Sequence, residues 1–421
     1  MWAQLEKLQF LVLFLFIIFK NVESCTFDLE KLAVENFRNY LRIPSVQPNV
    51  NYTKCVNFLK RQAESLDLPI KIVETDPGKP HVIITWKGTE PELPSILLSG
   101  HMDVVPVNRE KWIYPPFSAH MDENGNIYAR GAQDMKSVSI QHIEAVRRLK
   151  LNGIRLRRTV HILFEPDEEI GGVGMQAFVK TGEFKNLNVG FALDEGGIND
   201  GREIIVNYAE KSRYRMWVHC PGEAGHGSSL LNNTSAEKLR VIIDRFMDYR
   251  ASEKDKLKDP KVKNGNITSI NLTMLKGGLQ VNVVPDVLSA AFDIRIPPDM
   301  EVFKKFDKMI HTWFDEIGCK VEYIQKNNSI PVKGTKVDES NIYWVAFKKA
   351  CDDFKVDLDV SIAAWGTDAN YLRTLGIPAL GFSPINNTRP LLHADNEYLN
   401  KDIFLKGIKI FMKIVTAVAN A

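Results

Sequence analysis

The chain of 421 residues is long enough for two or more domains, and its 44% hydrophobic and 25% charged residues are those of an ordinary soluble protein. A formal net charge of +2 and no basic arginine–aromatic array give no footing for nucleic-acid binding. The five cysteines, Cys25, Cys55, Cys220, Cys319 and Cys351, form no metal-binding pair at short spacing. They exclude a disulfide-dense scaffold, leave room for one or two bridges, and leave at least one thiol over.

The N-terminus stands apart. Residues 8–19, LQFLVLFLFIIF, are an uncharged, mostly apolar run, shorter than the roughly 20 residues that cross a bilayer. NVESC follows, with small residues Val22 and Ser24 at the spacing of a signal-peptidase site. Residues 1–24 therefore read as a cleaved signal peptide, with a short membrane anchor or a buried helix as alternatives. Sequons at Asn51, Asn232, Asn233, Asn266, Asn271, Asn327 and Asn386 agree with entry into the secretory pathway, each being weak alone. The expectation is a secreted or luminal glycoprotein, or one anchored by this segment.

From about Phe27 to Val206, short apolar runs alternate with helical patterns. HVIITW (81–86), SILLSG (95–100), TVHILFEP (159–166) and NVGFALDE (188–195) read as buried strands. Residues 134–153, DMKSVSIQHIEAVRRLKLNG, read as a helix with Val138, Ile140, Ile143, Ala145 and Leu149 on its apolar face, stopped by Asn-Gly. Alternating strands and helices point to a doubly wound, mainly parallel α/β sheet, in which ligands gather at the carboxyl ends of strands.

The middle of the chain has another texture. RYRMWVHC (213–220), ITSINLTML (267–275) and VLSAAFDIRI (287–296) alternate polar and apolar residues around a long charged helical stretch at 235–258. After about Glu322 the first texture returns, with a helix at 341–354, the run IPALGFSP (377–384) and a C-terminal amphipathic helix. The pattern predicts a catalytic domain in two parts, 25–208 and 324–421, with an inserted α+β domain at 209–323.

Acidic residues and histidines recur where strands end. EPDEEIGG (165–172) packs Glu165, Asp167, Glu168 and Glu169 into eight positions directly after an apolar run, and like charges that close need something to offset their repulsion. His101 and Asp103 follow SILLSG, Asp134 heads its helix, Asp194 and Glu195 end NVGFALDE, and His393 stands in LLHADNEYL. Any one alone has an ordinary reading as a turn, an N-cap or a solvated charge run. Together they are nitrogen and oxygen donors delivered to one crevice, which suits Zn2+, and a pair of dications offsets the repulsion most simply. Asp103 can hold the second ring nitrogen of His101, Asp134 can bridge two ions, and one carboxylate of the Glu-Glu pair can bind metal while the other acts as a base.

GHMDVVPV, YARGAQDMKSVSIQHIEAVRRLK, PDEEIGG, GFALDEG, NLTMLKGG and GIPALGFSP…LLH carry a resemblance from about Phe27 to the C-terminus. On these motifs the chain resembles the aminoacylase-1 group of the co-catalytic zinc metallopeptidase family, which also holds glutamate carboxypeptidases and di- and tripeptidases. The resemblance implies hydrolysis of N-acyl-L-amino acids, with two Zn2+ per subunit. One would be held by His101 and Glu195 and the other by Glu169 and His393, with Asp134 and a hydroxide bridging them. Glu168 would be the general base, and Asp103 would orient His101. Asp194 and Glu195 are adjacent on an extended segment and point opposite ways; family members differ over Asp or Glu here, and Glu195 is taken as the ligand. The inserted domain would be a lid and dimerisation unit. It would supply His226 to stabilise the oxyanion, often across a homodimer, and Asn282 and Arg295 to the substrate carboxylate. Gly227, where relatives carry alanine, and the lengthened PGEAGH turn bear on the lid geometry around His226. Alternatives are a dipeptidase or carboxypeptidase of the same family, or a binding protein that has lost the chemistry.

Overall fold

The computed structural model describes residues 28–324 and 330–421. The expected signal peptide, Cys25 and the Asn327 sequon lie outside the described residues.

Eight strands form the main sheet, in the spatial order Ile70–Asp76, Lys79–Trp86, Val160–Glu165, Ser95–His101, Val189–Asp194, Ala379–Phe382, Ile204–Glu210 and Leu358–Ala363. Four of its neighbouring pairs are parallel, and three are antiparallel. The central strands read as continuous apolar runs because both faces are covered. Ile96, Leu98, Ile162 and Phe164 enter one core with helices 28–41, Lys136–Leu151 and Lys401–Ala419. Leu97, Leu163 and Ala192 enter a smaller core on the other face, with Met175, Phe178 and Leu372 from short helices. This is the doubly wound α/β arrangement that the alternating pattern predicts.

Helix Lys136–Leu151 differs from expectation in one respect. It is buried almost all round, not along one face. It lies between the sheet and the C-terminal helix, so its polar residues must find partners inside the protein. Glu144 accepts from Asn36 Nδ2 at 2.8 Å and pairs with Arg147, and Gln141 Nε2 donates to the carbonyl of Phe404.

The second sheet has four antiparallel strands, in the order Ser269–Gly277, Val287–Ile296, Ser212–Pro221 and Lys320–Tyr323. Strand Ser212–Pro221 is buried at every second residue, the signature of a sheet with one face in a core. That core is shared with helices Ser235–Lys256 and Met300–Ile317. A capping box of Thr234 and Glu237 starts the first helix, and Asp299 caps the second. A disulfide joins Cys220 to Cys319, while Cys55 and Cys351 are buried free thiols. Large-sheet strand Ile204–Glu210 leads through Lys211 straight into Ser212–Pro221, so one extended segment crosses from the catalytic sheet to the inserted domain.

Candidate active site

Parallel strands Ser95–His101, Val160–Glu165 and Val189–Asp194 end on the same side of the sheet, with His101 in register with Glu165. Their carboxyl ends deliver His101, the turn carrying Glu168 and Glu169, and the Asp194–Glu195 pair. The turn needs unusual backbone: Asp167, Gly171 and Gly172 all have positive φ. A Cβ at Gly172 would collide with Asp368 Oδ1, so glycine is required there twice over.

The four acids of EPDEEIGG face different things. Glu165 accepts from Ser99 Oγ and lies against Asp368. Asp167 pairs with Lys79 Nζ at 3.0 Å and lies near Gln47 Nε2. Glu168 and Glu169 face the crevice. There, His101 Nε2 lies 3.1 Å from Asp134 Oδ1 and 3.6 Å from Glu195 Oε2. His393 Nε2 lies 3.2 Å from the other Asp134 oxygen, Oδ2, and 3.0 Å from Glu169 Oε2. Asp134 thus joins two histidine–carboxylate clusters through its two oxygens.

Asp103 orients His101, but mainly through its backbone. His101 Nδ1 lies 2.9 Å from the Asp103 carbonyl oxygen and 3.5 Å from Oδ1. A proton on Nδ1 donated to that carbonyl leaves Nε2 as the nitrogen that faces the carboxylates. The Asp103 carboxylate instead accepts from Gln47 Nε2 and from the backbone N–H of Glu169, linking two strand ends.

Burial and mutual repulsion raise the carboxyls of Glu168, Glu169 and Glu195 above the usual range. Burial would also raise Asp134, but the imidazoles of His101 and His393 hold it well below that range. Burial would lower His101, yet Glu195, Asp103 and Asp134 hold it well above an ordinary histidine. His393, whose side chain is 56% exposed, is raised to about 10 by Asp134 and Glu169.

The nitrogen and oxygen donors suit bound metal ions. Donor atoms of His101, Glu168 and Glu195, and of His101, Asp134 and Glu169, lie within 4.8 Å of one another. Glu169 Oε1 is buried with no hydrogen-bond partner among the described residues, a cost a cation would remove. Among the described residues, only imidazoles form ion pairs with Asp134, Glu169 and Glu195.

The remaining expected residues stand on the inserted domain. His226 is exposed and hydrogen-bonds Ser228 Oγ at 2.7 Å. Asn282 is exposed, and its side-chain oxygen accepts from Gln280. Arg295 is held by Asp293 on its own strand. Within one chain, none of the three hydrogen-bonds the acidic crevice among the described residues. Sequence reasoning passed over Arg130, Gln133 and Glu397. These residues bond mainly backbone groups on either side of the crevice, which no side-chain pattern signals.

A family model for peptidase family M20/M25/M40 matches residues 97–417. Aminoacylase-1 of Mus musculus is 46% identical over 93% of this chain and 97% of its own length. Aminoacylase-1 of Homo sapiens is 44% identical over 93% and 96%, and that of Dictyostelium discoideum 40% over 93% and 98%. Among solved structures, an M20 family metallo-carboxypeptidase from Sulfolobus solfataricus aligns with a TM-score of 0.73 at 20% identity, covering 92% of this chain and 99% of that one. At that identity the likeness concerns the fold. The chain therefore belongs to peptidase family M20/M25/M40, in its aminoacylase-1 group.

Proposed function

We propose that this protein hydrolyses N-acyl-L-amino acids to a carboxylate and a free L-amino acid, using two Zn2+ per subunit. The observation that carries the reading is Asp134, whose two oxygens each face a separate histidine that is itself beside a further carboxylate. His101 and Glu195 would hold one ion, His393 and Glu169 the other, with Asp134 shared. Zinc so held supplies Lewis acidity, which polarises the amide carbonyl and lowers the pKa of water. Glu168, left out of the ligand set, takes a proton from the attacking water. It passes that proton to the leaving nitrogen as the new C–O bond replaces C–N. Arg295 and Asn282 would meet the substrate carboxylate, and His226 the developing oxyanion.

Zinc analysis with turnover of N-acetyl-L-methionine, beside a panel of dipeptides, tests the reading. Zinc-dependent release of methionine is expected. Dipeptide cleavage with no action on N-acyl amino acids would contradict it.

A homodimer would bring the lid residues to a crevice. Lid-edge strand Ser269–Gly277 exposes Met274 and Leu275, and Leu279, Val281 and Leu230 lie exposed in the nearby turns. An apolar sheet edge of this kind suits a second copy. His226→Ala and Glu168→Gln, each inactive alone, should regain roughly a quarter of wild-type activity when mixed, because half the dimers carry one complete site. No recovery despite subunit exchange would place His226 in its own chain's site.

The apolar segment at 8–19, the sequons and the Cys220–Cys319 bridge support a secretory-pathway location, since disulfides persist in oxidising compartments. Asn51, Asn232, Asn233, Asn266 and Asn271 are exposed. Asn386 is not an acceptor: it is 4% exposed, and its Nδ2 donates to the Arg202 carbonyl. A glycan on Asn271 would occupy the same lid edge, so the dimer requires Asn271 to be bare. N-terminal sequencing and glycan mapping of protein secreted from a eukaryotic host test this. A start near Cys25 is expected, and an intact Met1 on unglycosylated cytosolic protein would contradict it.

A further inference from the structure

Glu397 is 0% exposed and pairs with Arg130. A buried carboxylate is costly to keep unless its lone pairs are filled. Here they are filled by one turn. Oε2 accepts from Arg130 Nη1 at 2.8 Å and from the Gly131 N–H at 3.0 Å. Oε1 accepts from the Gln133 N–H at 2.6 Å and the Asp134 N–H at 3.2 Å. The carboxylate therefore fixes the backbone from which Asp134 projects.

Its partners act on the other side of the crevice. Arg130 Nη1 also donates to the Ala394 carbonyl, and Nη2 to the carbonyl of His393. Gln133 Nε2 donates to the carbonyls of Arg389 and Tyr398, while its Oε1 accepts from the Leu391 N–H. Residues 130–134 and 389–398 are some 260 positions apart in sequence, and these bonds bind them into one body. His393 needs that support. Its side chain is 56% exposed and its φ is +61°, so neither burial nor regular backbone holds it.

We infer that Glu397, with Arg130 and Gln133, is a positioning clamp that sets the spacing between Asp134 and His393 and so assembles the second metal's ligands before any ion arrives. Glu397 is fully buried and is none of the proposed ligands, so it is a positioning residue and not a catalytic one. The inference rests on the two-metal reading of the site.

Glu397→Gln preserves size but replaces one acceptor oxygen with a donor that faces N–H groups. Outer-shell losses of this kind cost about 10- to 100-fold in metal affinity. The experiment is zinc titration against a competing chelator on folded wild type and Glu397→Gln, with the visible absorption of the Co2+-loaded forms. Zinc affinity at the Asp134–His393 site should fall about 10- to 100-fold, with an altered Co2+ spectrum. Arg130→Lys, which keeps the charge but cannot reach Glu397 and both carbonyls together, should fall in the same direction and serves where Glu397→Gln does not fold. A role in packing alone would lower the melting temperature of the metal-free protein while leaving zinc affinity within twofold and the Co2+ spectrum unchanged. That result overturns the clamp. A wild-type chain that takes up no zinc would instead overturn the two-metal reading, and the clamp with it.

Discussion

The catalytic domain and the inserted domain treat their histidines differently. The catalytic domain buries His81, His101, His142, His161, Asp134 and Glu397. The lid's three histidines, His219, His226 and His311, all reach solvent, as does Asn282. His81 and His142 are buried as neutral rings, whereas the charged His101, Asp134 and Glu397 have fixed partners, so the catalytic domain carries a preformed site within one chain. Exposed groups on the inserted domain have no such demand, and under the proposed function they would act only once substrate or a second subunit is in place.

The largest expected effect falls on the buried side. Glu168→Gln should lose activity by several orders of magnitude, of which general acid–base catalysis accounts for about 10²–10⁴, while zinc content stays at the wild-type level. Loss of zinc would mean that Glu168 is a ligand and that the roles within the Glu168–Glu169 pair are reversed.

The next test separates the two domains. The Cys220–Cys319 bridge closes a sequence separation of 99 within the lid. Cross-links over loops of that length contribute about 2–5 kcal/mol. Paired Cys220→Ala and Cys319→Ala replacements should lower the lid's thermal stability and leave zinc bound to the catalytic domain. Simultaneous loss of zinc at temperatures where the catalytic domain is folded would show that the two domains are one cooperative unit.

A smaller effect follows from pH. Burial lowers His81 and His161 to about 4 and His142 to about 3. The unfolded chain takes up these protons near pH 6.5 while the folded one does not. Stability from each is therefore complete above about 6.5 and falls as pH drops toward 4, by about 1.4 kcal/mol per pH unit for each histidine. His142, edge-on to Phe411 with no hydrogen bond among the described residues, isolates one of them. His142→Leu should reduce the acid slope of metal-free protein by one proton in denaturant titrations between pH 6 and 4.5. An unchanged slope would mean His142 is protonated in the fold.

The same division explains what the sequence made legible. Buried strands such as SILLSG and the alternating strand RYRMWVHC declare themselves because burial on two faces or one leaves different periodicities. Residues at strand ends, such as His101 and Glu195, were readable as a convergent set, and the structure gathers them with Asp134, Glu169 and His393. Strand Ile70–Asp76 carries no such signal, because it is a sheet edge with mixed exposure. The all-round burial of helix Lys136–Leu151 was equally hidden, since its polar residues are satisfied by partners far away in sequence. Arg130 and Glu397 went unread for the same reason. What they bind is mostly backbone, brought together only by the fold.

The most direct test of the account concerns Asp134, on which both histidine–carboxylate clusters converge. Zinc should be titrated into Asp134→Ala and wild type, with the bound metal counted per chain and circular dichroism confirming the fold. The account predicts two tightly bound ions in wild type and weakened affinity for both together in the variant. A folded Asp134→Ala chain that still holds two zinc ions tightly would contradict the shared carboxylate.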